Sequence, residues 1–368
     1  MYAEKRTPME VCPRCATRSW SVYDRRWVVA RDEPMRRAEV RLLIHKRRFM
    51  CGPCKKPFTE PVQGVIKGKR TTERYARAVQ EACDEFVDLK QVRRRFRCSA
   101  GYLYATYYRH LDLKQRMRKG VEWGERVALD EHSFKRGNVR GKRRFVTMVV
   151  DESRKRLLEV ADGKTAAEVK ATVAYIPGRE NVRWVSMDLC DPYKLFAQDF
   201  FPHAQIVADK FHVLRLPMGA LMKYRKQAEG GRNTSYLRNL LLGNGYNVPH
   251  QWREPLQAWL SKHPELQEVY RVKEKLSAIY RIRSVGQAAR ELTELTDRLA
   301  TSVVPELRTL RRTLMKWRMA ILNHWTSGRQ TNARVEGFNN KAKLVKRRAY
   351  GYISATNYRL RLLNACGG

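Results

Sequence analysis

The chain has 368 residues, with 75 Lys+Arg against 37 Asp+Glu, a formal net charge of +38 and a pI near 10.3. Its 43% hydrophobic and 10% aromatic content can fill real cores, which excludes disorder throughout. No apolar run approaches the roughly 18 residues of a membrane span, and Met1–Glu10 has no apolar signal-peptide core. The basic excess runs through both the first 120 residues and the remainder, interleaved with Tyr, Trp and Phe. The expected partner is therefore a nucleic acid, ahead of an anionic membrane surface or a ribosome-like scaffold.

Residues 1–65 carry two paired knuckles, Cys12-Pro-Arg-Cys15 and Cys51-Gly-Pro-Cys54. Each turns the chain so that two sulfurs face one ion, and four thiolates leave no open position, so the expectation is a structural zinc in a zinc ribbon. The alternatives are two disulfides or a redox pair. Between the knuckles, Val40, Leu42 and Ile44 alternate as in a strand, and Arg47-Arg48-Phe49 follows. Residues 66–122 read as helical. Thr71-Thr72-Glu73 caps a helix with Tyr75, Ala78, Val79, Ala82 and Phe86 on one face. A second helix holds Val92 and Phe96, Cys98–Gly101 turns, and Tyr102–His110 forms a third. With Arg93, Arg94, Arg95 and Arg97 this suggests a helix-turn-helix DNA reader, the alternative being a three-helix linker with a solvated basic face.

From Arg126 the pattern changes. Val127-Ala128-Leu129 runs into Asp130, Phe145–Val150 and Arg156–Ala161 follow as strands, and Thr165–Ile176 has helical spacing. Val182–Met187 runs into Asp188, and Gln205–Ala208 into Asp209. This order of strands and helices predicts a mixed α/β sheet over residues 123–212. Residues 213–329 read as helical, with breaks near Gly243–Gly245 and Pro249, and a last helix begins near Gln330 in the segment 330–368.

Asp130 and Asp188 would each end a buried strand, where two unpaired anions repel and a divalent ion with hard oxygen ligands, magnesium or manganese, would resolve the repulsion. On the last helix Val335, Phe338, Ala342, Val345 and Ala349 form an apolar face, and Asn332, Glu336, Asn339, Lys343 and Arg347 the opposite one. Glu336 is the sole acid on a stripe of amides and cations that could meet phosphate. Taken singly, each acid reads as a capped strand end or a solvated helix face. Together, in so basic a chain, they favour phosphodiester chemistry.

The blocks Leu129-Asp130-Glu131-His132-Ser133-Phe134-Lys135-Arg136-Gly137, Ser186–Tyr193, Phe201–His212, Val335–Lys343 and Arg347–Tyr352, with the two CxxC pairs, resemble bacterial insertion-sequence transposases of the ISL-three family over nearly the whole chain. The resemblance implies an α/β ribonuclease-H-like DDE catalytic domain with a large all-helical insertion, here preceded by the zinc ribbon and the helix-turn-helix segment. It implies Asp130, Asp188 and Glu336 as the catalytic acids holding two magnesium or manganese ions. By likeness to Mutator-like families, Asp209 and His212 would lie near the site. Glu131 and Asp191 adjoin the assigned acids and are alternative ligands. Neighbouring strand residues point to opposite faces, so Asp130 and Glu131 cannot both face the site.

The mechanism expected is in-line attack on a phosphodiester by water and then by a DNA 3′-hydroxyl. Double-stranded DNA, as element ends and target, is the expected partner, with Asn339, Lys343, Arg347 and Arg348 holding it near the cut. Synapsis of two ends favours a homodimer or larger assembly, working in the cytoplasm at the bacterial nucleoid. The rivals are an inactive DNA-binding regulator derived from a transposase, and a metal-dependent nuclease that cuts without joining.

Overall fold

The computed structural model describes residues 7–36, 38–85, 88–118, 120–136, 143–230 and 235–367. Phe86, expected on the first helix face, and Gly137 of the first motif lie outside the described residues. The chain divides into two compact units, Met1–Met117 with Arg348–Tyr350, and Arg118–Arg347 with Gly351–Gly368.

In the first unit, β1 (Glu10–Val11) and β2 (Arg18–Ser19) flank the first cysteine knuckle as an antiparallel pair. The strands β3 (Val22–Met35) and β4 (Ala38–Cys51) form a long hairpin, and β5 (Lys56–Thr59) pairs with β4 across the second knuckle. Val40, Leu42 and Ile44 are half-buried while Arg41, Leu43 and His45 are exposed, the alternation of a strand covered on one face. Three helices follow: α1 (Glu73–Glu85), α2 (Leu89–Phe96) and α3 (Ala100–Arg116). Each start has a side-chain cap. Thr72 accepts from Tyr75 N, Asp88 from Gln91 N and Ser99 from Tyr102 N. Arg97, at φ 48, ends α2 in the left-handed region. The segment expected as a turn over 98–101 is therefore the cap and first turn of α3. That helix runs past His110 to Arg116, because Leu103, Tyr107 and Leu111 continue one buried face.

In the second unit, β6 (Arg126–Arg136), β7 (Arg143–Asp151) and β8 (Arg156–Asp162) are antiparallel neighbours. After α4 (Ala166–Val173), β9 (Trp184–Met187) pairs parallel with β6. After α5 (Asp191–Phe200), β10 (Gln205–Ala208) pairs parallel with β9. The sheet order is β10-β9-β6-β7-β8. The chain then runs through α6 (Lys210–Arg215), α7 (Met218–Ala228), α8 (Ser235–Leu242), α9 (His250–Ser261), α10 (Pro264–Ile279), α11 (Val285–Arg298), α12 (Pro305–Lys316) and α13 (Arg318–Thr326). It returns as α14 (Ala333–Arg348) and α15 (Ala355–Cys366). Among the described residues between 213 and 329 there is no strand, and no described helix is long and apolar enough to cross a membrane.

Three cores result. Val127, Leu129, Val185 and Met187 pack with α4 and α5 on one sheet face. Ala128, Val146, Met148 and Val150 pack with Val335 and Ala342 of α14 and Tyr358 and Leu362 of α15 on the other. Leucines of α7 to α12 build a third core that also takes in Ala208 of β10 and Ile321 of α13. The strand β6 extends to Arg136, well beyond the three apolar residues that announce it, because its second half pairs only with β7.

A buried ion pair fixes α15 on β8. Glu159 is fully buried, and both of its carboxylate oxygens accept from Arg359, with Nε to Oε1 at 2.6 Å. Tyr175 Oη donates to Oε2 at 2.8 Å. Breaking one side strands a buried charge, so Arg359→Met should cost about 3–5 kcal/mol in urea unfolding. Adding Glu159→Gln should recover much of that loss, and an unchanged midpoint in the single variant would contradict it.

Candidate active site

The zinc ligands come from two hairpin turns of the same build. Ala16 and Lys55, the residues after the second cysteine of each knuckle, have φ of 58 and 53. Their N–H groups donate to Cys12 O and Cys51 O, both at 2.9 Å. This closes each CxxC so that its sulfurs point the same way. The Sγ atoms of Cys12, Cys15, Cys51 and Cys54 all lie within 4.8 Å of one another, and Cys15 and Cys51 are 3.4 Å apart. The Thr17 hydroxyl and backbone hold the Cys15 thiol down to about 6, while its nearness pushes the Cys54 thiol up to about 12, the mutual opposition of thiols crowded together without an ion. Four convergent thiols complete a tetrahedral ligand set and fit a structural zinc.

The acids of the second unit stand in a row set by strand register. Leu129, Met187 and Ala208 pair across β6, β9 and β10. The next residue along the chain in each case is Asp130, within β6, Asp188, just after β9, and Asp209, just after β10. Parallel pairing between β6 and β9 stops at Leu129, so Asp130 lies within β6 but just past the end of its neighbour. Leu129 and Met187 belong to the core under α4 and α5, so Asp130 and Asp188 project from the opposite face, toward α14. Glu131 projects the other way and pairs with Lys164 at 3.4 Å. Asp191 opens α5 and pairs with Lys316 at 2.6 Å.

His212 lies in the first turn of α6, whose N-cap is Asp209. Its Nδ1 is 2.9 Å from Asp209 Oδ2 and 2.8 Å from Asp188 Oδ1. Only the first contact has hydrogen-bond geometry. Asp188 Oδ1 is buried and meets the ring as a charge alone. Asp188 and then Asp209 hold the imidazole protonated, raising it to about 10. The ligand atoms of Asp188, Asp209 and His212 lie within 4.8 Å of one another. Asp130 stands beside this cluster. Burial first, and the Asp188 charge second, push its carboxyl up to about 7.

The helix α14 brings amides to the acids. Asn332 N donates to Asp209 Oδ1 at 3.2 Å and Asn332 Nδ2 to Leu129 O at 3.4 Å. Asn339 Nδ2 donates to Asp130 Oδ2 at 2.5 Å. Asn339, expected among the DNA contacts, is thus turned inward and is only 9% exposed. Lys343, Arg347 and Arg348 are exposed, as are Arg93, Arg94, Arg95 and Arg97 on and after α2. Glu336 is exposed, one turn before Asn339, and has no oxygen in the tight cluster. The acceptor oxygens Asn332 Oδ1 and Asn339 Oδ1 are buried without a donor, and Asp188 Oδ1 has only the charge of the His212 ring beside it. A cation would give the two amide oxygens a partner, and the oxygen-rich donor set suits a hard divalent ion.

Sequence reasoning missed Glu152. It lies just after β7, accepts a hydrogen bond from Gln330 Nε2, and is pushed by burial up to about 7. No local motif marks it; register sets it opposite Arg126, and the returning chain at Gln330 connects it to the segment that reaches Asp209. The amide contacts of Asn332 and Asn339 were equally hidden, although both lie on the polar stripe with Glu336.

A carboxylate row at the ends of parallel strands, in a strongly basic chain with a separate four-cysteine ribbon, defines a protein equipped to act on nucleic acid. Comparison with known proteins is more specific. Residues 127–362 match the transposase family of the ISL3 type that carries the DDE name, and residues 8–54 match the zinc-finger of transposase IS204/IS1001/IS1096/IS1165. The first match spans more than half of the chain, and the chain belongs to this family: it is a DDE transposase. The transposase for insertion sequence element IS1001 of Bordetella parapertussis is 26% identical over 386 residues, covering 100% of this chain and 91% of that protein.

The zinc ribbon and its four-cysteine cluster support a structural zinc. Metal analysis of the purified chain should find about one zinc, as one four-thiolate site requires. Cys51→Ser should lose it, and a Cys12–Cys15 disulfide in mass spectra of the native protein would exclude the site.

Proposed function

We propose that Asp130, Asp188 and Glu336 form the catalytic centre, hold two magnesium or manganese ions, and serve to cleave insertion-sequence ends and join them to target DNA. The observation that carries this reading is the α14 stripe. Asn332 and Asn339 hydrogen-bond to Asp209 and Asp130, and Glu336 stands between them on the same stripe. The start of α14 therefore lies against Asp209 and Asp130, with Glu336 one turn from the Asn339 side chain that reaches Asp130. When bound, such ions polarise the phosphodiester and activate the attacking hydroxyl. The chain's own residues fix the place of reaction: Asn339 orients the Asp130 carboxylate, and His212 holds Asp188 and Asp209 together. Glu131 and Asp191 are engaged elsewhere, which favours Asp130 and Asp188 as the ligands.

The sheet order supports a ribonuclease-H-like domain over residues 123–212 and 330–368, with 213–329 as an all-helical insertion. The zinc ribbon of residues 1–65 and the helix-turn-helix of residues 66–122 would bind double-stranded element ends, with Arg93, Arg94, Arg95 and Arg97 on phosphate. Lys343, Arg347 and Arg348 would hold DNA near the cut. Pairing two ends calls for a dimer or larger assembly, working in the cytoplasm at the nucleoid.

The test is incubation of the full chain with its flanking element ends and magnesium, reading cleavage and joining separately. Asp130→Ala, Asp188→Ala and Glu336→Ala should each reduce both to background while end binding persists. Cutting without joining would make the protein a nuclease, binding without cutting a regulator, and an active Glu336→Ala would remove that residue from the centre.

End binding should weaken steeply as salt rises. Each of Arg93→Ala and Arg95→Ala should lower the slope of log affinity against log salt by about 1 if its guanidinium contacts phosphate. An unchanged slope in both, measured by fluorescence anisotropy, would leave α2 a linker.

A further inference from the structure

We propose that Asp188, Asp209 and His212 form a cation seat of their own, with the imidazole Nδ1 as a nitrogen ligand, so that the two ions of the centre are chemically unlike and this seat selects manganese over magnesium. The inference deepens the catalytic reading above and rests on it. The geometry is prepared by the backbone. Asp188 and Asp209 follow directly on β9 and β10, and Asp209 N donates to Met187 O at 2.8 Å. Asp209 then caps α6 by accepting from His212 N at 3.2 Å, which swings the imidazole of the first turn back over both carboxylates. The resulting contacts of 2.8 and 2.9 Å match the spacing of about 3 Å between adjacent ligands of an octahedral ion with bonds of about 2.1 Å.

Burial adds a second observation. Asp209 is 2% exposed, and Asn332 beside it is 7% exposed with Oδ1 lacking any donor. Asp188 Oδ1, facing the ring, likewise has no hydrogen bond. The Asp209 and Asn332 side of the seat is buried while the His212 side chain stays 40% exposed, so a cation could enter past the ring and meet the unpartnered Asn332 oxygen.

The donor set decides the ion. Magnesium takes oxygen ligands and keeps much of its water, whereas an imidazole suits transition ions. Among transition ions manganese is the one closest to magnesium in its taste for oxygen, so it can fill the all-oxygen set of Asp130, Asp188 and Glu336 and still gain from the imidazole. Asp188 would be shared between the seats.

The competing account is that His212 is a permanent cation neutralising two aspartates. The two differ in what happens when manganese is added to the purified full chain without DNA. Electron spin echo spectroscopy of bound Mn2+ should show the nitrogen coupling of a directly bound imidazole. His212→Gln should abolish that coupling and weaken Mn2+ binding at one seat at least about tenfold. Asp209→Asn keeps a capping side chain and should weaken the same seat. Magnesium affinity should change little in His212→Gln. Thermal melts and zinc content of both variants establish that they are folded.

A wild-type chain without nitrogen coupling, or a coupling that persists in His212→Gln, overturns the proposal. If Mn2+ binding depends on Asp188 but not on His212, the nitrogen seat alone is wrong. If it is also indifferent to Asp188→Ala, the catalytic reading falls with it.

Discussion

Three carboxylates in one row dominate the second unit. The register that pairs Leu129 with Met187 and Met187 with Ala208 forces Asp130, Asp188 and Asp209 onto adjacent strands at the same level. Neighbouring strands are about 4.8 Å apart. At about 5 Å and an effective dielectric near 20, each adjacent pair of full charges repels by about 3 kcal/mol. Much of what surrounds the row reduces that cost. In the absence of ions the charged His212 ring lies against two of the acids, Asn339 donates to Asp130, the Asn332 backbone donates to Asp209, and burial biases Asp130 toward its neutral form. A fold does not keep such a cluster for stability, since removing one acid would relieve the others.

The same row explains how a long helical excursion is accommodated. The chain leaves the sheet at Asp209 and comes back at Asn332, and these two residues are hydrogen-bonded across 123 positions. The returning segment is pinned to the first strands: Arg126 donates to Ser327 O at 2.7 Å, Gln330 to Glu152, and Asn332 to Leu129 O. Between those points the helices are held by their own leucine-rich core. The excursion thus costs the sheet little, because its two ends meet where the sheet already stops. The contacts that close it also set the rotation of α14, and hence which face of that helix looks at the acids.

What the sequence reveals depends on whether the signal is local. The paired cysteines, the apolar strands before Asp130 and Asp188, and the 3-and-4 spacing of Val335, Phe338 and Ala342 are all short-range patterns with one physical meaning each, and they are legible. The extent of β6 is not, because Glu131, His132 and Ser133 are polar residues of a half-open hairpin whose strand character comes from pairing with β7. The inward turn of Asn339 is hidden for a related reason. On a stripe with lysine and arginine an amide reads as a surface group, and only the approach of β6 makes it a buried donor. Register sets Glu152 opposite Arg126, whereas Asp130 faces Met148, and only the return of the chain at Gln330 joins Glu152 to the segment that reaches the acids, which no window of sequence encodes.

The two units solve their stability problems differently, and that difference bears on how the protein would lose activity. The second unit has large apolar layers on both sheet faces and a further helical core, so its acids sit on a scaffold that does not depend on the ions they would bind. Among the described residues, the apolar cluster at the ribbon's knuckles is Cys12, Phe49, Cys51 and Phe58, with Cys54 at the edge. A cluster that small buries too little apolar surface to order two hairpin turns unaided, and in such modules metal binding supplies much of the folding free energy. Three of those five side chains are zinc ligands, so losing the ion removes the core itself. Chelation strong enough to strip the thiolates would therefore dismantle the ribbon while leaving the strand-end acids in place, whereas loss of the divalent ions would leave both folds intact.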